Sequence, residues 1–330
     1  MAEKKLNLSM IAKEFSDETD AYKFLESVLW ENGVVCPHCG SVNESKFLQP
    51  RNGQRKTRKG NGTYRRVWQC DACGQQFSVL VGTIFEDSHI PLSKWLIAIH
   101  EMCAAKNGVS ALELSRKVGI SYRPAWHMAH RIRLAITRAP LADMIKGTIE
   151  VDETYIGGKA KNMHKAKHER VIQGRGTVGK TAVLTVVERG GDARSQVVNE
   201  TNGETVRQSL VENVDKQATL NIDTSTVYNQ VGKEFAKHET VDHGKEEYVR
   251  GGAHINTAEG YFSQLKRSIN GTYHHVSAKH LGSYLAEFDY RYSTRKSIDG
   301  DRTMRALEQT RGKQLKYAAL TQSRGERPAT

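Results

Sequence analysis

The stretch "GTIEVDETYIGG", residues 147–158, marks the point where the chain changes character. Apolar and polar side chains alternate through it and a Gly-Gly turn closes it, so it reads as a strand. Successive strand side chains point to opposite faces, so Asp152 and Glu153 cannot serve one site together. Val151 and Glu153 share a face, which leaves Asp152 as the functional carboxylate of the other. Working outward, "KTAVLTVVERGGDARSQVV" (180–198) is a hairpin, "NGETVRQSLVENV" (202–214) a helix, and "ATLNID" (218–223) a short strand ending at Asp223. "TSTVYNQVGKEF" (224–235) reads as helical, and "HETVDHGKEEYVR" (238–250) as strand and loop. The order is β-β-β-α-β-α-β-α, an α/β pattern in which a mixed sheet is expected.

The last helix of that series begins near "HINTAEGYFSQLKRSINGTYHH" (254–275). Tyr261, Phe262, Leu265 and Ile269 recur at helical spacing, with Asn256 and Thr257 as expected N-terminal caps. Glu259 and Lys266 are seven residues apart, so they lie within about 20° around the axis and about 10 Å along it. Carboxylates thus stand on the first strand, at the end of the fourth and on the last long helix. Two divalent cations about 3.5–4 Å apart can activate an attacking oxygen and stabilise a leaving oxygen at a phosphodiester. Mg²⁺ is held by a few carboxylates together with substrate phosphate, and three acids on rigid elements suit that purpose. Asp242 falls only 17 positions before Glu259, too few for the intervening element, so it and His243 are set aside. His254 reads as an ordinary hydrogen-bonded histidine, and Tyr284, Phe288, Tyr290 and Tyr292 as helix packing.

Upstream, "CPHCG" and "CDACG" supply Cys36, Cys39, Cys70 and Cys73. Two-residue spacing lets paired thiolates converge on one tetrahedral ion, and this pattern reads as a structural zinc ribbon. His38 lies inside the first knuckle, but four thiolates already fill the site. Cys103 sits on an apolar helical face and is a core residue. Between the knuckles, "RNGQRKTRKGNGTYRR" (51–66) has seven basic residues and no acid. The stretch reads either as a solvated loop or as a phosphate-gripping arm, in which Arg55, Lys56, Arg58, Lys59, Arg65 and Arg66 are the candidates. "VWQCDACGQQFSVLVGTIF" (67–85) looks like strands closing the ribbon, and "PLSKWLIAIHEMCAAK" (91–106) is an amphipathic helix with proline at its start. Ser110 can cap a helix over Ala111–Val118. "GIS" then makes a turn, and a second helix follows, a helix-turn-helix outline with Arg123 and His127 near the start of the recognition helix.

With 330 residues and 38 % hydrophobic content the chain can fill more than one core. Its formal charge of +12 favours a polyanion, most simply nucleic acid. No apolar run is long enough to span a membrane. The charged start "MAEKKLNLSMIAKEF" lacks the apolar core of a signal peptide, so a reducing, cytoplasmic setting is expected.

"VDETYIGG", "NIDTSTVY" and "HINTAEGYFSQLKRSINGTYHHVSAKHLGSYLAEFDYRY" resemble the catalytic segments of DDE transposases of bacterial insertion sequences, in the group with an N-terminal zinc ribbon ahead of a helical DNA-binding segment. The resemblance runs from about residue 20 to residue 296. The 36 positions from Asp223 to Glu259 resemble the family's compact spacing, and a basic residue follows the glutamate by seven. The resemblance implies an RNase H-like fold in which Asp152, Asp223 and Glu259 hold two Mg²⁺ or Mn²⁺ ions, with Asn256 as a further candidate ligand. It implies that Lys266, with Arg267 beside it, meets DNA, and that Tyr273, His274, His275 and Lys279 add substrate contacts. The family tends to have asparagine where Ser293 stands, which bears on any role for Arg295. The organisation expected is an N-terminal helical segment (1–30), a zinc ribbon (31–86), a helix-turn-helix region (87–140), an RNase H-like catalytic domain (141–299) and a basic tail (300–330) read as a peripheral helix with a frayed end.

The function expected is binding of an element's terminal inverted repeats, followed by metal-dependent cleavage and strand transfer into target DNA. A homodimer or larger assembly would join two ends, at the bacterial nucleoid when bound to DNA. Two other readings are a zinc-ribbon regulator derived from a transposase and an RNase H-like nuclease that cuts without joining.

Overall fold

The computed structural model describes residues 6–50, 55–56, 62–138, 144–158, 178–223, 234–241 and 254–322. Arg58, Lys59, Asp242, His243 and residues 224–233 of the helix expected over 224–235 lie outside the described residues. The chain divides into two compact units, Met1–Ala105 with Val109–Ile136 and Ser297–Thr330, and Lys106–Gly108 with Thr137–Lys296.

In the first unit, β1 (Ser45–Phe47), β4 (Trp68–Cys70) and β5 (Gln76–Phe77) form an antiparallel sheet, and β2 (Arg55–Lys56) pairs with β3 (Gly62–Thr63). Strands this short bury little, so the ribbon leans on α2 (Glu18–Leu29), which follows α1 (Leu8–Glu14). Trp30, just past α2, meets Trp68 and Phe77 edge-on. Glu26 of α2 accepts hydrogen bonds from Trp68 Nε1 (2.9 Å) and Arg66 Nε (2.8 Å).

The strands expected to close the ribbon stop at Phe77. Ser78–Glu86 is instead a run of turns, with Val81, Thr83 and Glu86 amides bonded to carbonyls three residues back. Its apolar residues Val79, Ile84 and Phe85 are buried, so the run supplies core, and Thr83 forms an isolated antiparallel bridge with Arg311. The amide of Ile84 donates to Thr310, and that of Gly312 to Gly82. The segment after Gly300 is accordingly not peripheral. It carries α9 (Asp299–Glu308; the helices between are placed below), whose Thr303, Ala306 and Leu307 are buried, and Thr303 Oγ1 lies 2.9 Å from His100 Nδ1 of α3 (Leu92–Ala104).

Helix α4 (Ala111–Val118) is capped by Ser110, whose hydroxyl accepts from the Glu113 amide, and ends at Gly119 in a left-handed turn. Helix α5 (Tyr122–Ala135) follows after the three residues Gly119, Ile120 and Ser121 and buries Ala125, Met128, Ala129 and Ile132. The helix-turn-helix outline is therefore present. A short α10 (Tyr317–Thr321) ends the described residues of this unit, and no described helix is long and apolar enough to cross a membrane.

The second unit is built on a five-stranded mixed sheet of order β10-β9-β6-β7-β8, from β6 (Thr148–Ile156), β7 (Thr181–Glu188), β8 (Ala193–Val198), β9 (Thr219–Asp223) and β10 (Lys237–Val241). Strand β7 pairs antiparallel with β6 on one side and, across a hairpin turn, with β8 on the other, while β9 and β10 run parallel to β6. This is the mixed sheet of an RNase H-like domain. Ile149 and Val151 face one side, packed with Val206 and Leu210 of α6 (Gly203–Asn213). Ile156, Val183 and Val187 belong to the core on the other, with Tyr261, Phe262 and Leu265 of α7 (Asn256–Ser268) and Leu281, Leu285 and Phe288 of α8 (Ala278–Ser293). Phe288, Tyr290 and Tyr292 are buried, as packing residues should be.

A polar knot ties α7 and α8 to β8. Asp289 accepts from the Ser195 amide (2.7 Å), from Ser195 Oγ (3.0 Å) and from the Tyr261 hydroxyl. Burial outweighs these bonds and pushes the Asp289 carboxyl up to about 6. The folded protein thus holds this proton more tightly than the unfolded chain. Its contribution to stability is greatest below about pH 4 and falls by about 3 kcal/mol as pH rises to about 6. Urea unfolding across that range should show this component in the wild type and lose it in Asp289→Asn. Equal slopes in both proteins would refute it.

Candidate active site and metal centre

The four knuckle sulfurs all lie within 4.8 Å of one another, with Cys36–Cys73 and Cys39–Cys70 each at 3.7 Å. Sulfurs about 2.3 Å from a central zinc form a tetrahedron with edges of about 3.8 Å, so the donor set fits the ion. Gly40 and Gly74, one residue after each knuckle, take positive φ (78° and 72°) and donate their amides back to the Cys36 and Cys70 carbonyls. A Cβ would strain both turns. The Ser41 hydroxyl, 3.1 Å from Cys70 Sγ, draws that thiol down, while burial and the neighbouring sulfurs push Cys73 up. His38 is exposed, its ring edge-on to Phe77, and Cys103 is buried.

In the second unit, strand alternation sets Asp152 on the α7 side of the sheet, opposite Ile149 and Val151. Asp152 is half-buried, and its Oδ1 accepts from the Glu153 amide at 2.8 Å. Strands β6 and β9 are in parallel register, Val151 opposite Ile222, so Asp223 follows on beside Asp152. Glu259 is exposed in the first turn of α7, and Asn256 is exposed at its first position. Lys266 and Arg267 are exposed in the last turn, with Lys266 Nζ 6.0 Å from the Phe262 ring centre.

The caps expected for α7 are corrected. Neither Asn256 nor Thr257 caps it, because the N-cap position is Ile255, whose side chain has no polar atom to offer. The first-turn amides of Thr257 and Ala258 instead donate to Glu150 of β6, at 2.7 and 3.0 Å. Glu150 is completely buried. The sequence reading missed this residue, although an acid inside the apolar alternation of "IEVDE" was the available signal.

Several candidate DNA contacts have partners within their own unit. Arg66 is paired with Glu26 and stacked over Phe47 (4.2 Å), and Arg65 Nε donates to Ser78 Oγ (3.2 Å). His127 is half-buried, with Nε2 2.9 Å from the Leu315 carbonyl and its ring against Tyr317. The Tyr273 hydroxyl donates to Glu287 at 2.6 Å, beside the buried Glu287–Arg291 ion pair. Lys56, Arg123, His274, His275 and Lys279 are exposed, and Arg55 lies in β2. Ser293 Oγ accepts from the Ala193 amide at 3.1 Å, while Arg295 covers the Tyr292 ring at 4.0 Å and donates to Gly191.

A zinc ribbon followed by an acid-bearing RNase H-like sheet defines a class, and comparison with known families agrees. Residues 16–76 match the model of a transposase zinc-ribbon domain, and residues 144–293 that of an ISXO2-like transposase domain. Both matched segments are thus similar to domains of insertion-sequence transposases. It is 28 % identical over 292 residues to an uncharacterized protein in transposable element ISH50 of Halobacterium salinarum, covering 86 % of this chain and 93 % of the relative.

Proposed function

We propose that this protein binds the terminal inverted repeats of its own element and catalyses cleavage and strand transfer with Asp152, Asp223 and Glu259 as the metal-binding carboxylates. The observation that supports this best is the parallel register of β6 and β9, which sets the backbone of Asp152, midway along β6, beside that of Asp223 at the end of β9. Glu259 enters from the helix whose first turn is bonded to β6 two residues before Asp152. An all-oxygen donor set suits Mg²⁺ or Mn²⁺, with Asn256 as a further ligand candidate. Two such ions, when bound, would supply Lewis-acid activation of the attacking oxygen and charge relief at the leaving one.

The remaining work falls to the chain. Lys266 and Arg267, exposed on α7, would hold the phosphates next to the reacting one. His274, His275 and Lys279 would extend that contact along the strand, and Tyr273 would act through the loop it anchors. In the first unit, the ribbon with Lys56, and helix α5 with Arg123, would grip the repeats. Affinity would then fall steeply as salt rises. Joining two ends in one event calls for a dimer or larger assembly.

The test uses a plasmid carrying the protein's own gene with its flanking DNA, purified protein, and Mg²⁺ or Mn²⁺. Metal-dependent breaks at two inverted sequences, rejoined to new DNA, are expected. Breaks without joints would turn the reading to a nuclease, and end binding without breaks to a regulator.

A further inference from the structure

Glu150 is an acid with no exposure to solvent, and both its oxygens are fully engaged. Oε2 accepts from the amides of Thr257 and Ala258. Oε1 accepts from the Thr257 hydroxyl (2.9 Å) and from Arg189 Nε (2.6 Å), and His254 Nδ1 stands 3.2 Å away. Arg189, in the β7–β8 turn, also donates to the His254 carbonyl at 2.8 Å, so hairpin, strand and helix entry meet at one carboxylate. Bonds between an ionised acid and N–H donors are the strong kind, and a helix N-terminus favours the negative charge.

A serine or aspartate at position 255 would cap α7 just as well if helix stability were all that mattered. A cap from β6 does something a local cap cannot. Glu150 and Asp152 share one face of β6, about 7 Å apart along the strand. Glu259 follows the clamped Ala258 by one residue, a rise of about 1.5 Å. The carboxylate therefore fixes the helix that bears Glu259 to the strand that bears Asp152.

We propose that Glu150 is a positioning residue, whose buried carboxylate clamps the first turn of α7 to β6 and so sets Glu259 relative to Asp152. The inference rests on the metal-site reading above. It does not make Glu150 a metal ligand, since its oxygens are already occupied.

The test is Glu150→Gln in the full-length chain, which turns an amide NH₂ toward groups that are themselves donors. In metal-free protein, hydrogen exchange at the amides of 257–259 should quicken at least about tenfold, while β7 amides stay as in the wild type. Binding to the element's own DNA ends should change less than about twofold, because the contacts proposed for it lie elsewhere. The Mg²⁺ concentration giving half-maximal cleavage should rise by about 10–100-fold, the effect of disturbing a residue behind metal ligands. Thr257→Val removes one donor, leaves the Glu150–Arg189 pair in place, and should shift the same metal curve in the same direction by less. It decides the matter if the glutamine variant fails to fold. Unchanged exchange at 257–259, or an unchanged metal curve beside a cleaving wild type, would overturn the clamp alone. A wild type that cleaves with neither Mg²⁺ nor Mn²⁺ would overturn the metal-site reading and the clamp with it.

Discussion

Asp152→Ala is expected to lower strand cleavage by at least about 10³-fold, some 4 kcal/mol of transition-state stabilisation. The reason is positional. Asp152 shares the α7 side of β6 with the buried Glu150, and the register leaves Val151 and Glu153 facing away. An oxygen ligand proposed at Asp152 would not be replaced by a neighbour on the same strand, because Glu150 is buried and bonded to α7. Glu259→Gln should behave alike, keeping shape and losing charge. Both variants should still bind the element's ends as the wild type does, since the ribbon and helix α5 are untouched. A nicking and joining assay on the same plasmid, run with a gel-shift measurement, checks both halves. An Asp152→Ala protein that cleaves within about tenfold of wild type would remove Asp152 from the site.

The second large effect is at the ribbon. Cys36→Ser is expected to release the zinc and unfold β1, β4 and β5, because structural zinc contributes about 10 kcal/mol or more to modules of this kind. The ribbon has little else to hold it. Its own buried core is Cys36, Cys70 and Phe77, with Trp30, Val34, Trp68, Cys73 and Val81 packed around them. End binding should fall by at least about 100-fold, in keeping with a fold that forms only with metal. Metal content by mass spectrometry, one zinc per chain in the wild type and none in the variant, is the direct check. A variant that keeps its zinc and its DNA affinity would refute the assignment.

Much of the second unit was legible because strand alternation and helical spacing are local signals. The hairpin at Gly190–Gly191, the strand ending at Asp223 and the long helix that carries Glu259 and Lys266 all stand where periodicity put them. The cap of α7 was not legible. Asn256 and Thr257 have the chemistry of caps, but the bond to the Thr257 amide comes from Glu150, 107 positions away in sequence. Helix α3 repeats the lesson, since its first amides, Leu92 and Ser93, donate to Glu18 at the start of α2. The fates of Arg66, His127 and Tyr273 were hidden in the same way. Basic and aromatic residues in a basic chain suggest DNA, yet Glu26, Leu315 and Glu287 lie opposite them in the fold.

By itself the sequence determined the zinc ligands, the order of elements and the face on which Asp152 stands. These depend on spacings of two to four residues, which backbone geometry converts directly into direction. The tertiary structure alone decided that the segment after Gly300 packs into the first unit, and that a buried glutamate ties α7 to β6. Those outcomes depend on which distant groups meet once the cores close. A buried donor or acceptor must then find whatever partner the fold has brought within reach.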